Sequence, residues 1–184
     1  MRANRRGNSV GVTAGGGGVD AADDHTGVFE DLVSGLERPM VIATVSHDAE
    51  RAGCLVGFST QCSIHPPRYA VCISKRNHTA EVAARAQTMV VHFLRPGNEA
   101  LARLFGEETG DEISKFDKCA WHAGPGGAPV IAACDWFAGR VLQRIDAGDH
   151  TMYVLDVIDA GAASHRDGQL GSQELPDLDA GHDP

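Results

Sequence analysis

Apolar positions in this chain follow two periods, and the switch between them divides it. In "VFEDLVSGLE" (residues 28–37), Val28, Phe29, Leu32, Val33 and Leu36 recur at helical spacing, and Pro39 marks a break, which predicts a short leading helix. From there the period shortens. "MVIATVS" reads as a strand, "HDAERAG" as its turn, and "CLVGFSTQCSI" as a second, irregular strand relieved by Gly57. After the Pro66–Pro67 corner, "YAVCIS" is a third strand; "TAEVAARAQ" is a short helix and "TMVVHFL" a fourth strand.

"NEALARLFGEE" sets Leu101, Leu104 and Phe105 on one helical face with Asn98 as a cap. A Gly/Pro loop at "HAGPGGAP" leads to two long runs, "CDWFAGRVLQRIDA" and "HTMYVLDVIDA", joined across "GD" as the longest hairpin of the chain. Their imperfect alternation predicts apolar contact on both faces, as in a closed barrel or a subunit interface. The fold class is mainly β, an antiparallel barrel with a few short helices and no parallel βαβ units. Residues 1–26 and 162–184 have little hydrophobic period and are expected to be mobile segments, the second acidic, flanking one domain over residues 27–161.

Composition narrows the partners. A chain of 184 residues supports one domain with a real core. Its net charge of −9 argues against a nucleic-acid backbone as partner, because no basic stripe is present. No run approaches the roughly eighteen apolar residues of a membrane helix, and the basic start "MRANRRGNSV" has no apolar continuation, so no membrane partner and a cytoplasmic location are expected. Five cysteines, none in a C-x-x-C pair, read as packing residues in a reducing compartment. The nine histidines show no helical i, i+4 pair, and no metal site is expected. Dinucleotide-fold, P-loop, serine-elbow and zinc-protease motifs are all missing from the sequence.

What remains is a run of small and polar residues. Gly57, Ser59, Thr60, Gln61 and Ser63 offer close backbone approach and hydroxyl or amide donors, which suits a ligand with a planar ring; a plain barrel strand with a polar outer face explains the same residues. One strand later, "SKRNHTAEV" supplies Lys75 and Arg76 as cations and Asn77 and Thr79 as donors at a helix N-terminus, a combination that suits a phosphate or simply a solvated loop. The two segments, separated by a single predicted strand, together raise the case for a phosphorylated ring-bearing ligand to a level with the plain structural reading. His92 lies on an apolar strand and reads as a packed histidine.

The order of these parts resembles the flavin reductase-like, FMN-binding split-barrel family, which includes the reductase components of two-component flavin monooxygenases. The resemblance covers residues 36–161 and is carried by "GCLVGFSTQCSIHPPRYAVCISKRNHT", "MVVHFL", "LARLF" and "AGDHTMYVLDV". It implies a homodimeric six-stranded antiparallel split barrel that binds FMN or FAD, uses NADH or NADPH as hydride donor, and passes reduced flavin to a monooxygenase component. It assigns Val56, Gly57, Phe58, Ser59, Gln61, Cys62 and Ser63 to the isoalloxazine and ribityl chain, and Lys75, Asn77, His78 and Thr79 to the phosphate side. His150, in Gly148-Asp149-His150, matches the position on the nicotinamide side and is the candidate catalytic residue. The chain departs from the family where "A-G-C-L-V-G" stands in place of the usual "N-G-M-T-A-S", so that Leu55 and Gly57 replace two hydroxyl residues, and where His92 replaces a common asparagine. A non-catalytic flavin carrier, or a split barrel holding a deazaflavin or haem, is the alternative. Hydride transfer between two cofactors needs no side-chain nucleophile, and the sequence displays none.

Overall fold

The computed structural model describes residues 21–108, 114–162 and 168–178. Residues 1–20, most of the segment expected to be mobile at the N-terminus, lie outside the described residues. The chain divides into two units at Leu36. The first contains helix α1 (Ala21–Ser34), which starts several residues earlier than the apolar period predicts because the preceding small and acidic residues are also helix-compatible.

The second unit is built on one antiparallel sheet of seven strands in the order β2-β1-β5-β8-β9-β4-β3, with a separate two-stranded ladder β6-β7. Strand β1 (Val41–His47) pairs with β2 (Glu50–Val56) across a two-residue turn closed by His47 and Glu50. Asp48 and Ala49 both take positive φ, 48° and 67°, the geometry that matches the right-handed strand twist. The predicted seven-residue turn "HDAERAG" is thereby corrected: only Asp48 and Ala49 turn, His47 ends β1, and Glu50–Gly53 belong to β2.

The six-strand expectation is also corrected. The second strand breaks at Gly57 and Phe58, so β3 (Ser59–Ser63) leaves β2 and pairs with β4 (Arg68–Ser74) at the far edge of the sheet. A two-residue link thus joins the two edge strands, and the sheet must roll to bring its edges together there. Phe58 fixes the link by accepting a 2.9 Å hydrogen bond from the Cys72 amide. No ladder joins β2 to β3 among the described residues.

Helix α2 (His78–Arg85) and β5 (Thr88–Phe93) follow, then α3 (Glu99–Gly106). Asn77 caps α2 by accepting from the Thr79 amide at 2.9 Å. Asn98 precedes α3 without capping it, because its side chain accepts from the Arg95 amide instead. Within the Gly/Pro loop the chain forms β6 (Trp121–Ala123) and β7 (Pro129–Ile131), a hairpin hidden by its own turn residues. The long hairpin is as expected: β8 (Asp135–Ala147) and β9 (His150–Gly161) turn at Gly148 and Asp149, with Gly148 at φ 86°.

Because β1 alternates between two apolar environments, both of its faces are buried. Val41, Ala43 and Val45 face the inside of the rolled sheet, with Val71, Ile73, Tyr153 and Leu155 and with Val82 and Ala83 of α2. Ile42 faces outward, where Phe105 of α3, Phe116, Ile131 and Leu170 form a second core. The acidic tail is not wholly a tail: Leu170 is fully buried and exchanges backbone hydrogen bonds with Met40 and Leu94, and Leu175 packs beside it. No described helix is long and apolar enough to cross a membrane.

Candidate functional site

The break at Gly57 opens a cavity of about 340 Å³ between the β2–β3 link, the C-terminal end of β4, the end of α3 and His150 at the start of β9. Its size falls in the range of small-ligand pockets. Val56, Gly57, Phe58, Asn77 and His150, five of the residues singled out by sequence, line it together. Gly57 leaves it open: an added Cβ would meet nothing closer than the Met40 sulfur at 3.7 Å. The glycine therefore contributes space for a ligand rather than relief of a backbone clash.

His150 is held on two sides. Its Nδ1 lies 2.7 Å from Asp149 Oδ1, so Nδ1 carries the proton and donates, leaving Nε2 as the variable position. The same hydrogen bond holds the Asp149 carboxyl below the usual carboxylate range. The ring of Phe58 meets the imidazole edge-on at 5.3 Å, and the Arg38 guanidinium lies 5.5 Å from the Phe58 ring centre. Half of Phe58 is exposed, which makes it the aromatic surface at the cavity mouth.

The remaining predicted residues lie around the cavity without lining it. Ser59 bonds the Tyr69 hydroxyl at 3.1 Å across the β3–β4 pair. Gln61 donates to the Ser63 carbonyl at 3.1 Å over a bulge that contains the exposed Cys62. Lys75 pairs with Asp146 at 2.9 Å and holds that carboxyl low. His78 is 3.5 Å from Glu50, and Arg85 binds the same carboxylate at 2.7 Å. Thr79 is buried and hydrogen-bonds Cys54, whose thiol is pushed up to about 11 by burial.

Sequence reasoning missed the opposite wall. Phe105, Gly106 and Leu178 come to the cavity from two distant segments and join Cys54 and Leu55 of β2, of which only Leu55 is singled out by sequence, as a departure from the family pattern. The apolar face of α3 was visible, but nothing local marked Phe105 as a pocket residue. No group of three or more potential metal ligands occurs among the described residues.

A family model for the flavin reductase like domain matches residues 33–175. The chain belongs to that family. Relatives of this flavin reductase-like chain include an FMN reductase (NADH), RutF, of Klebsiella pneumoniae, 31% identical over 71% of this chain and 79% of the relative. An NADH-dependent FAD reductase of Streptomyces globisporus is 29% identical over 84% of this chain and 86% of the relative. Among solved structures, BorF, the flavin reductase component of a bacterial two-component tryptophan halogenase, superposes with a TM-score of 0.69 at 22% identity, covering 79% of this chain and 92% of that one.

Proposed function

We propose that this chain is an NAD(P)H-dependent flavin reductase that transfers a hydride from NADH or NADPH to FMN or FAD. One observation carries the reading: in a chain of this family, the Gly57–Phe58 link and His150, far apart in sequence, share one apolar cavity. A bound flavin would supply a ring nitrogen that accepts the hydride, and the reduced nicotinamide would supply the hydride itself.

The residues fit such a group. The open backbone at Gly57 and the apolar wall of Val56 and Leu55 accept a flat ring, and the cavity volume allows the ring but leaves a phosphate chain to run outside it. Lys75, two residues before the cap Asn77, is a cation close in sequence to the α2 N-terminus. It must share or leave Asp146 to meet a phosphate, a small cost because the pair is exposed to solvent. Ser59, Gln61, Cys62 and Ser63 on β3, and His78 and Thr79 on α2, belong to the same proposal as the walls followed by the ribityl and phosphate parts. His150 touches the nicotinamide side, with Asp149 fixing its tautomer so that Nε2 accepts or, once protonated, donates. Phe58 and Leu55 exclude water from the ring, and closeness of two stacked rings does the rest of the positioning.

The same reading includes a homodimer, a split barrel open between β2 and β3, and a cytoplasmic setting where reduced nicotinamide is at hand. Delivery of reduced flavin to a monooxygenase or halogenase component is supported by relatives that are themselves reductase components. Titrating the purified protein with FMN and FAD, and then following NADH and NADPH oxidation with each, tests the proposal. Saturable flavin binding with turnover above the free-flavin background is the expected result; turnover equal to that background overturns it.

A further inference from the structure

Lys115 is a charged side chain buried directly behind the cavity wall. Only 4% of it is exposed, and its Nζ donates to the Gly53 carbonyl of β2 and to the Phe105 carbonyl at the end of α3, each at 3.2 Å. The ammonium also lies 5.5 Å from the Phe105 ring centre. Its two backbone acceptors immediately precede cavity residues Cys54 and Gly106, and Phe105 itself lines the cavity.

The joint it makes is tight. An added Cβ at Gly53 would stand 2.9 Å from the Phe105 ring, and one at Gly106 would stand 3.0 Å from a Leu55 methyl, so α3 lies close against β2 at both glycines. Among the described residues no carboxylate hydrogen-bonds Lys115; the carboxylate that acts on it, Glu108, is partly exposed and lies 3.9 Å from Lys118. Burying a cation among neutral acceptors is costly, and here the two backbone carbonyls offset part of that cost. A charge in such a water-poor wall has a field that reaches across one layer of side chains with little screening.

We propose that Lys115 is an electrostatic residue of the flavin site: its buried charge, one layer behind the Cys54–Phe105 wall, favours the anionic reduced flavin over the neutral oxidised one. The proposal rests on the flavin reading above. It acts through the wall rather than by contact, so Lys115 sets the redox preference of the site while His150 and Phe58 face the reactants. The same joint holds α3 in place, and the experiment separates the two roles.

The measurement is the affinity of the intact protein for oxidised FMN and for anaerobically reduced FMN, in the wild type and in Lys115→Gln, Lys115→Met and Lys115→Arg variants, with folding followed by circular dichroism. Loss of charge in Lys115→Gln or Lys115→Met is expected to lower the preference for reduced over oxidised flavin about tenfold, equivalent to a midpoint about 30 mV more negative. Lys115→Arg is expected to stay within about twofold of the wild type, since it keeps the charge. A folded neutral variant with the wild-type ratio overturns the proposal, as does an arginine variant that loses as much as the neutral ones. If neither neutral variant folds, the arginine variant decides, because a ratio that falls despite the retained charge contradicts a field effect and a retained ratio supports it. A wild type that binds neither oxidation state fails the flavin reading itself, a distinct outcome from any change among the variants.

Discussion

Replacing His92 by phenylalanine should reduce stability and also remove a pH dependence, and the two effects come from one pair of hydrogen bonds. The imidazole is fully buried; Nε2 accepts from the Ile131 amide and Nδ1 faces the Ile42 carbonyl, both at 3.0 Å. The accepting Nε2 fixes the tautomer, so Nδ1 is the donor, and the ring fastens the β6–β7 hairpin to β1 and β5. Phenylalanine fills the space but strands the buried Ile131 N–H, at roughly 1–3 kcal/mol, and removes one of the bonds at the Ile42 carbonyl, at roughly 0.5–1.5 kcal/mol, since that carbonyl keeps its place in the sheet. At neutral pH the variant should therefore lose about 1.5–4.5 kcal/mol.

Burial also pulls the His92 pKa down from 6.5 to about 4. As pH falls, the unfolded chain takes up this proton before the folded one does. The stabilisation is fully present above 6.5, drains away toward 4, and is constant below, a total of roughly 3 kcal/mol. Urea unfolding of wild type and variant at intervals from pH 7.5 to 4 reads both effects. Acid titrations of carboxylates such as Asp146 and Asp149 are common to the two proteins and cancel in the difference. The gap between the two proteins should shrink by roughly 3 kcal/mol across the window; a gap that stays constant refutes the neutral, doubly bonded histidine.

Ala49 occupies a positive φ of 67° in the β1–β2 turn, so Ala49→Gly should stabilise the protein by about 0.5–1 kcal/mol in the same urea assay, and a loss would contradict the turn geometry. Gly57→Leu should fold normally, because the site around Gly57 is open, yet fill the cavity and weaken FMN binding at least about tenfold by fluorescence titration; unchanged binding would remove Gly57 from the flavin wall. Replacing Lys75 and Arg76 together by alanine should weaken FMN binding about tenfold and leave riboflavin, which lacks the phosphate, almost unaffected; equal losses for both ligands would exclude a phosphate contact.

Legibility in the sequence followed the range of the interactions. The β8–β9 hairpin and α2 declare themselves locally, through alternation around Gly148-Asp149 and through Asn77 at the helix start. Three features depend on partners elsewhere. The two-residue Asp48–Ala49 turn has an unusual residue at a positive φ, so its length is fixed by the pairing of β1 with β2 rather than by turn composition. The β6–β7 hairpin is three residues a side, too short for periodicity to register, and is held by the His92 contact. Leu170 and Leu175 sit in polar, glycine-containing surroundings whose composition reads as mobile, and only the edge offered by Met40 and Leu94 draws them in.

The site divides in the same way. Leu55, the Gly57–Phe58 half and His150 follow from motif order, while the wall of Phe105, Gly106 and Leu178 is assembled by tertiary packing and has no local signature. Ser59 and Thr79 illustrate the converse limit: both suggested ligand donors, and both have an intramolecular partner, Tyr69 and Cys54 respectively.

The most direct test of the central claim is anaerobic stopped-flow mixing of the FMN-loaded protein with NADH and, separately, NADPH, following loss of the oxidised-flavin absorbance in wild type and in His150→Ala. The account predicts saturable bleaching in the wild type, far faster than free FMN with the same nucleotide, and a slowing of about tenfold or more in the variant at unchanged flavin affinity. Bleaching of the wild type at the rate of free FMN with both nucleotides would contradict it.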